Sequence, residues 1–202
     1  LELHFSYIGF YLSLCLVGYV INFNLQQTFY RHGTVIKHDY LVESITFFAP
    51  GYILLAFAVL CAVRGAGVLS FTGIAVWSVV SIALASLSFS SIYITNSGTY
   101  ITLMTGAYSV IITFVGVTGG FLLNAYKWAQ APLGLQAVAL GLVLALVADG
   151  IIGSFWIYGN GGEGFFPLVR DVNWIVYIAS QSLVILLPKV IVQLEHPGDD
   201  RA

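Results

Sequence analysis

The stretch Leu133–Tyr158, LGLQAVALGLVLALVADGIIGSFWIY, decides the fold. Its one formal charge is Asp149. At about 1.5 Å rise per residue, roughly 20 apolar residues cross a hydrocarbon core, so the run reads as a transmembrane helix. A carboxylate inside such a helix costs about 3 kcal/mol or more unless it is paired, wetted or protonated. The stretch therefore sets the class of protein and marks a place where function can reside.

Working outward, five further apolar runs share that character. The sequence predicts an all-α, polytopic integral membrane bundle of six transmembrane helices forming one domain over residues 1–202. The predicted spans are about Phe5–Phe23, Glu43–Val63, Gly67–Tyr93, Tyr100–Tyr126, Leu133–Tyr158 and Asn173–Gln193. Composition agrees: only 8% of residues are charged, where a soluble domain needs roughly a quarter, and mean hydropathy is +0.93. The lipid bilayer is thus the expected partner. A net charge of −2 gives no footing for nucleic acid. Cys15 and Cys61 both sit in apolar runs and read as buried thiols. The first run lacks a basic leader and a small-residue cleavage site, so it reads as a mature helix.

With six spans the termini share a side with Arg64, Lys127, Lys189 and Arg201, against Arg31, Lys37 and Arg170 opposite. The excess of basic residues places both termini in the cytoplasm. The expected location is a plasma or energy-transducing membrane, crossed several times.

In lipid, helices approach through stripes of small residues. The fourth span offers Thr102, Gly106, Ser109, Thr113, Gly116 and Gly120; the fifth offers Gly134, Ala137, Gly141, Ala145 and then Asp149; the third offers Ser78, Ser81, Ala85 and Ser88. Spans three to five are thus expected to form the tight centre. Pro50-Gly51 and Pro188 are expected to bend or locally open the second and sixth spans.

Asp149 falls on the small-residue stripe and so faces protein. Counting about 1.5 Å per residue from span midpoints, it lies roughly 5 Å beyond the centre and Gln181 about 3 Å beyond on the same side, whereas Lys189 lies roughly 9 Å off on the other. Gln181 and Ser182 are the expected neighbours of Asp149, and Gln136 lies nearer the level of Lys189. Two readings of Asp149 stand: a proton, cation or solute site, or a structural contact between the fifth and sixth helices. Lys189 reads as a snorkelling interfacial lysine or as a buried functional one.

Other chemistries lack their residues. The loop residues His32, His38, Asp39 and Glu43 match no metal spacing, and Arg31 and Lys37 would repel a cation, so the loop reads as solvated and no metal is expected. No histidine lies within the spans to ligate haem, and no other cofactor is indicated. One intramembrane Asp cannot supply an aspartyl dyad, Asn96-Ser97-Gly98 has no histidine in the later spans to activate its serine, and no catalytic residue is assigned.

Arg64-Gly65-Ala66-Gly67, Leu69-Ser70-Phe71-Thr72-Gly73 and Trp77 resemble the link between the second and third helices of the acetate/succinate transporter family, and Tyr100 through Gly116, with Gly106 and Tyr108-Ser109, is similar to its fourth helix. The resemblance implies a six-helix solute transporter with both termini inside. The family's diagnostic Asn-Pro-Ala-Pro-Leu-Gly-Leu has no counterpart in Leu1–Gly9, and Ala131-Pro132-Leu133-Gly134-Leu135 echoes it only at the fifth span. No site residue is carried over.

Two functions follow as expectations. One is a channel or transporter for a small solute or ion, lined by Asp149, Gln181, Ser182, Gln136, Lys189, Ser109 and Thr113. The other is a non-catalytic subunit of a larger respiratory or photosynthetic membrane complex. The first fits a homo-oligomer, the second an assembly with other membrane subunits.

Overall fold

A computed structural model describes residues 2–29, 31–33, 35–65, 70–164 and 167–195. Residues 66–69 of the Arg64–Trp77 stretch, and Arg201, lie outside them. The described residues form an all-α bundle with six membrane-spanning helices. Its helices are α1 (Glu2–Phe23), α2 (Ile45–Gly65), α3 (Phe71–Ile92), α4 (Thr99–Ala125), α5 (Leu133–Ile151), α6 (Pro167–Val184) and α7 (Leu187–Glu195).

Helix α5 is the axis of the bundle. It packs along α4 on one side and α6 on the other, while α1 packs on α2 and α2 on α4. Glycines set these distances. A Cβ at Gly119 would lie 2.6 Å from the carbonyl oxygen of Ala139, and one at Gly116 2.9 Å from the Leu146 Cβ. Across α5 and α6, Gly141 does the same against Ser180, whose hydroxyl donates to the Gly141 carbonyl at 2.7 Å. Such close approach lets backbones gain the packing that replaces a hydrophobic drive in lipid.

The centre is therefore α4–α5–α6, and α3 lies at the edge, packed chiefly on α4. Of the third span's stripe, Ser81 and Ala85 are fully buried, Ser78 is half-buried and Ser88 is exposed. The stripe sets how closely α3 meets one neighbour, not how many neighbours it has. Val76, Val79, Ile82, Leu84 and Leu87 stay exposed on the outer face. Trp77 is a packing residue, stacked on Phe114 at 4.1 Å and on Phe121 at 5.2 Å between ring centroids.

Span ends differ from expectation for local reasons. Pro50 sits in an unbroken α2, preceded by a 3-10 turn over Asp39–Ser44. The sixth span starts at Pro167, a residue suited to the first helical turn, and is interrupted at Ile185–Leu186 before α7 resumes. Pro188 explains the interruption: it has no N–H for the carbonyl of Val184 and its ring restricts Leu187. The fifth span ends in a π-helical turn, Ile152–Ile157, in which the Tyr158 N–H donates to the Gly153 carbonyl at 3.0 Å.

The first, third and fifth loops meet over one end of the bundle, here the loop face. The Lys37 N–H donates to the Gly162 carbonyl at 2.8 Å, and Gly162 (φ +92°) approaches the Val35 carbonyl too closely for any Cβ. Asp39, expected in a solvated loop, is fully buried. Its Oδ2 accepts from the backbone N–H groups of His32 at 2.6 Å and Gly33 at 2.5 Å, and His32 pairs with Glu43. The first loop is thus a folded cap.

Candidate functional site

Beneath the cap, α1, α2, α3, α4 and α5 line a partly open cavity of about 90 Å³, room for a few water molecules or a small solute. Asp149 lines it and is half-buried. The Tyr108 hydroxyl donates to Asp149 Oδ2 at 3.0 Å, tying α4 to α5 beside the cavity. The buried Tyr52 ring lies beside this pair, 6.2 Å from the Tyr108 ring between centroids, with its hydroxyl outside hydrogen-bond geometry. Thr105 and Tyr158 share a 2.7 Å hydroxyl–hydroxyl bond that fixes the π-helical turn against α4. A π turn widens a helix locally, and here it brings Gly153 and Ser154 into the cavity wall.

Of the residues expected from sequence, Asp149, Ser109 and Thr113 line this cavity. Ser109 donates to the Gly106 carbonyl on its own helix at 2.8 Å. Gln181 lies outside the lining, and its Oε1 accepts from the Tyr11 hydroxyl at 2.8 Å. A row of rings connects the two polar points, Tyr11 to Tyr52 at 5.5 Å and Tyr52 to Tyr108 at 6.2 Å between centroids. The direct neighbour of Asp149 is therefore Tyr108, with Gln181 at the far end of a tyrosine row. Ser182, Lys189 and Gln136 are exposed and away from the cavity, and the Gln136 amide donates to the Ala131 carbonyl at 2.9 Å.

Sequence reasoning missed Tyr108, Tyr158, Tyr11 and Asn22. A signal was present, because a tyrosine within a membrane span carries a hydroxyl that lipid cannot satisfy.

A second, larger space of about 550 Å³ lies beside the cavity, lined by the loop-face ends of α1 and α6, the first loop and the π-helical turn. Tyr19, Phe23, Tyr40, Trp156, Trp174 and Tyr177 give it aromatic walls, and Asn22, His38, Arg170 and Asn173 its polar groups. Asn22, Leu41 and Ile152 line both spaces, so the vestibule and the cavity adjoin there. His38 stands outside the spans; burial, then the positive charges of Lys37 and Arg31, hold its imidazole below the ordinary histidine value. It is neutral at pH 7. Toward the termini the cavity is closed by packed side chains, among them Leu122, Leu135, Val138, Leu142 and Leu187, all fully buried.

No family model, curated protein or solved structure matches the chain. Fold and composition define its class: an integral, multi-pass membrane protein.

Proposed function

We propose that the protein is a pathway for a small solute or ion, a channel or transporter in which Asp149 is the central polar contact. The carrying observation is that the cavity holding the intramembrane carboxylate adjoins the vestibule at Asn22, Leu41 and Ile152. A structural Asp joining two helices needs no cavity beside it. A carboxylate on a solute route does, because the solute must reach it.

In this reading the solute enters from the loop face, passes Asn22 and reaches Asp149. Tyr108 holds the carboxylate in place, and Asp149 binds a cation or exchanges a proton as the solute moves on. The apolar layer of Leu122, Leu135 and Leu142 closes the far side, so passage requires that layer to part. The resemblance of the fourth helix to that of the acetate/succinate transporter family adds to the same reading.

Flux into proteoliposomes tests it. Wild-type protein is expected to carry at least one small solute, and Asp149→Asn to lower that flux about tenfold or more. Equal flux of every carried solute through both proteins would overturn the proposal.

A further inference from the structure

Helices α2 and α3 each pack along α4 rather than along one another. The gap between them is a groove of about 360 Å³. Ile53, Phe57 and Leu60 line it from α2, Ser78 and Ile82 from α3, and Phe114 from α4. These residues stand near the middle of their helices, at hydrocarbon depth. The buried Ser81 hydroxyl, also in the lining, donates to the Trp77 carbonyl of its own helix at 2.9 Å, so it asks nothing of a guest. Water finds no partners in such a groove, and an empty one forfeits dispersion contacts. Its occupant is apolar.

The charges fix the occupant's other end. Between Glu43 and Lys127 the chain carries one formal charge, Arg64. Helices α2, α3 and α4 thus hold no carboxylate to pair with it, and the ion pairs among the described residues lie elsewhere. Phe57, Leu60 and Arg64 follow at spacings of three and four, which is one face of a helix. The exposed Arg64 therefore stands one turn beyond the groove on the groove's own face. Counted from Leu55, the middle of α2, it lies roughly 14 Å along the axis, where hydrocarbon gives way to headgroups. A guanidinium there matches a phosphate group, which it can bind through two N–H donors.

A second helix fits poorly. It is about 10 Å wide, and helices in lipid meet through small residues, whereas Ile53, Phe57 and Ile82 are large and exposed. A single acyl chain is slender enough to lie between them. We infer that the groove between α2, α3 and α4 binds a phospholipid of net negative charge, with one acyl chain in the groove and the phosphate on Arg64. A zwitterionic headgroup brings a cation of its own, for which these helices offer no carboxylate. The groove shares no lining residue with the cavity around Asp149, so the lipid site is independent of the proposed pathway.

Native mass spectrometry tests the inference, on protein held in mild detergent with equal amounts of dioleoyl phosphatidylglycerol and dioleoyl phosphatidylcholine. One phosphatidylglycerol is expected to stay bound in preference to phosphatidylcholine. Arg64→Gln is expected to lower that preference about fivefold, and Arg64→Lys, which keeps the charge, to lower it less. Ser78→Leu fills the groove and is expected to reduce retention of both lipids. Val79→Leu, on the outer face and outside the lining, is expected to leave it unchanged. Glycerol phosphate, a headgroup without chains, is expected not to displace the lipid. Circular dichroism of each variant confirms the fold; if Ser78→Leu does not fold, the two Arg64 variants and glycerol phosphate decide. Equal retention of the two lipids by wild type would overturn the inference. So would a preference unchanged by Arg64→Gln, retention unchanged in folded Ser78→Leu, displacement by glycerol phosphate, or a lipid-free dimer.

Discussion

The two halves of this bundle are built from the same helices and obey different rules. Toward the termini, Val59, Leu122, Leu135, Val138, Leu142 and Leu187 pack with no exposure, and Gly119 seats α4 directly on the backbone of α5. Toward the loop face the same helices spread around a cavity and a vestibule, lined by Asp149, Tyr108, Asn22 and Asn173. Close packing excludes water and leaves polar groups nowhere to sit. Where the helices part, polar side chains become tolerable and a solute gains room. The changeover falls along α4 between the cavity-lining Thr113 and the sealed Gly116–Gly119 turn.

The largest effect should come from breaking the sealed half. Gly119→Ala places a methyl group against the Ala139 carbonyl oxygen, a backbone atom that cannot turn aside. The expected loss is about 3 kcal/mol, at the upper end for overpacking, read as a lowered midpoint in thermal unfolding in detergent. Gly120→Ala is the control, since nothing lies within 4 Å of its added carbon; a change within about 0.5 kcal/mol is expected. Equal losses at both positions would mean that α4 and α5 are not in this contact.

Next in size is the tie that organises the open half. Tyr108→Phe removes the hydroxyl that donates to Asp149 at 3.0 Å. Removing the donor leaves a half-buried carboxyl oxygen without its partner, which costs about 2 kcal/mol, so a smaller loss of stability than at Gly119 is expected. Infrared spectroscopy should show the Asp149 carboxyl band move in Tyr108→Phe and vanish in Asp149→Asn. A band unmoved by Tyr108→Phe would break the pairing of these residues.

The sealed half was the more legible in sequence, and the comparison explains why. Small residues at helical spacing report close approach directly, and Gly116 and Gly141 lie at such approaches. Position around the helix was read less well: Gly120, on the expected stripe, faces open space, and the contact belongs to Gly119. In the open half Asp149 stood out because a charge in lipid is conspicuous. Its partner did not, because Tyr108 looks like an apolar ring until its hydroxyl is asked for a partner. The cap was hidden for another reason. Burial of Asp39 depends on the backbone N–H groups of His32 and Gly33, and backbone donors leave no mark on residue type.

A still smaller effect is expected at the cap. His38 is partly buried, and its folded-state pKa lies below its ordinary value of 6.5. The unfolded chain therefore binds more protons in that window, so this contribution is complete above about pH 6.5 and is lost as pH falls toward the folded value. Around it stand Lys37, Arg31, Asp39 and Glu163, of which Lys37 and Arg31 reinforce the depression and the two carboxylates oppose it. Thermal midpoints between pH 7.5 and about 5 should fall more in wild type than in His38→Asn. Parallel curves would show that His38 titrates alike in both states.

The smallest change separates depth from direction. Ser182 follows Gln181 in the chain and sits at nearly the same depth, so a count of helical rise treats the two as equal neighbours of Asp149. One residue along a helix is about 100° of rotation, and that turn exposes Ser182 while Gln181 reaches inward to the Tyr11 hydroxyl. Ser182→Ala should therefore leave both flux and unfolding midpoint unchanged, within about 0.5 kcal/mol. Gln181→Leu leaves the buried Tyr11 hydroxyl without its acceptor and should cost about 1 kcal/mol or more. If Ser182→Ala were the more damaging of the pair, α6 would be rotated from the orientation described, and the tyrosine row would no longer run from Gln181 to Asp149.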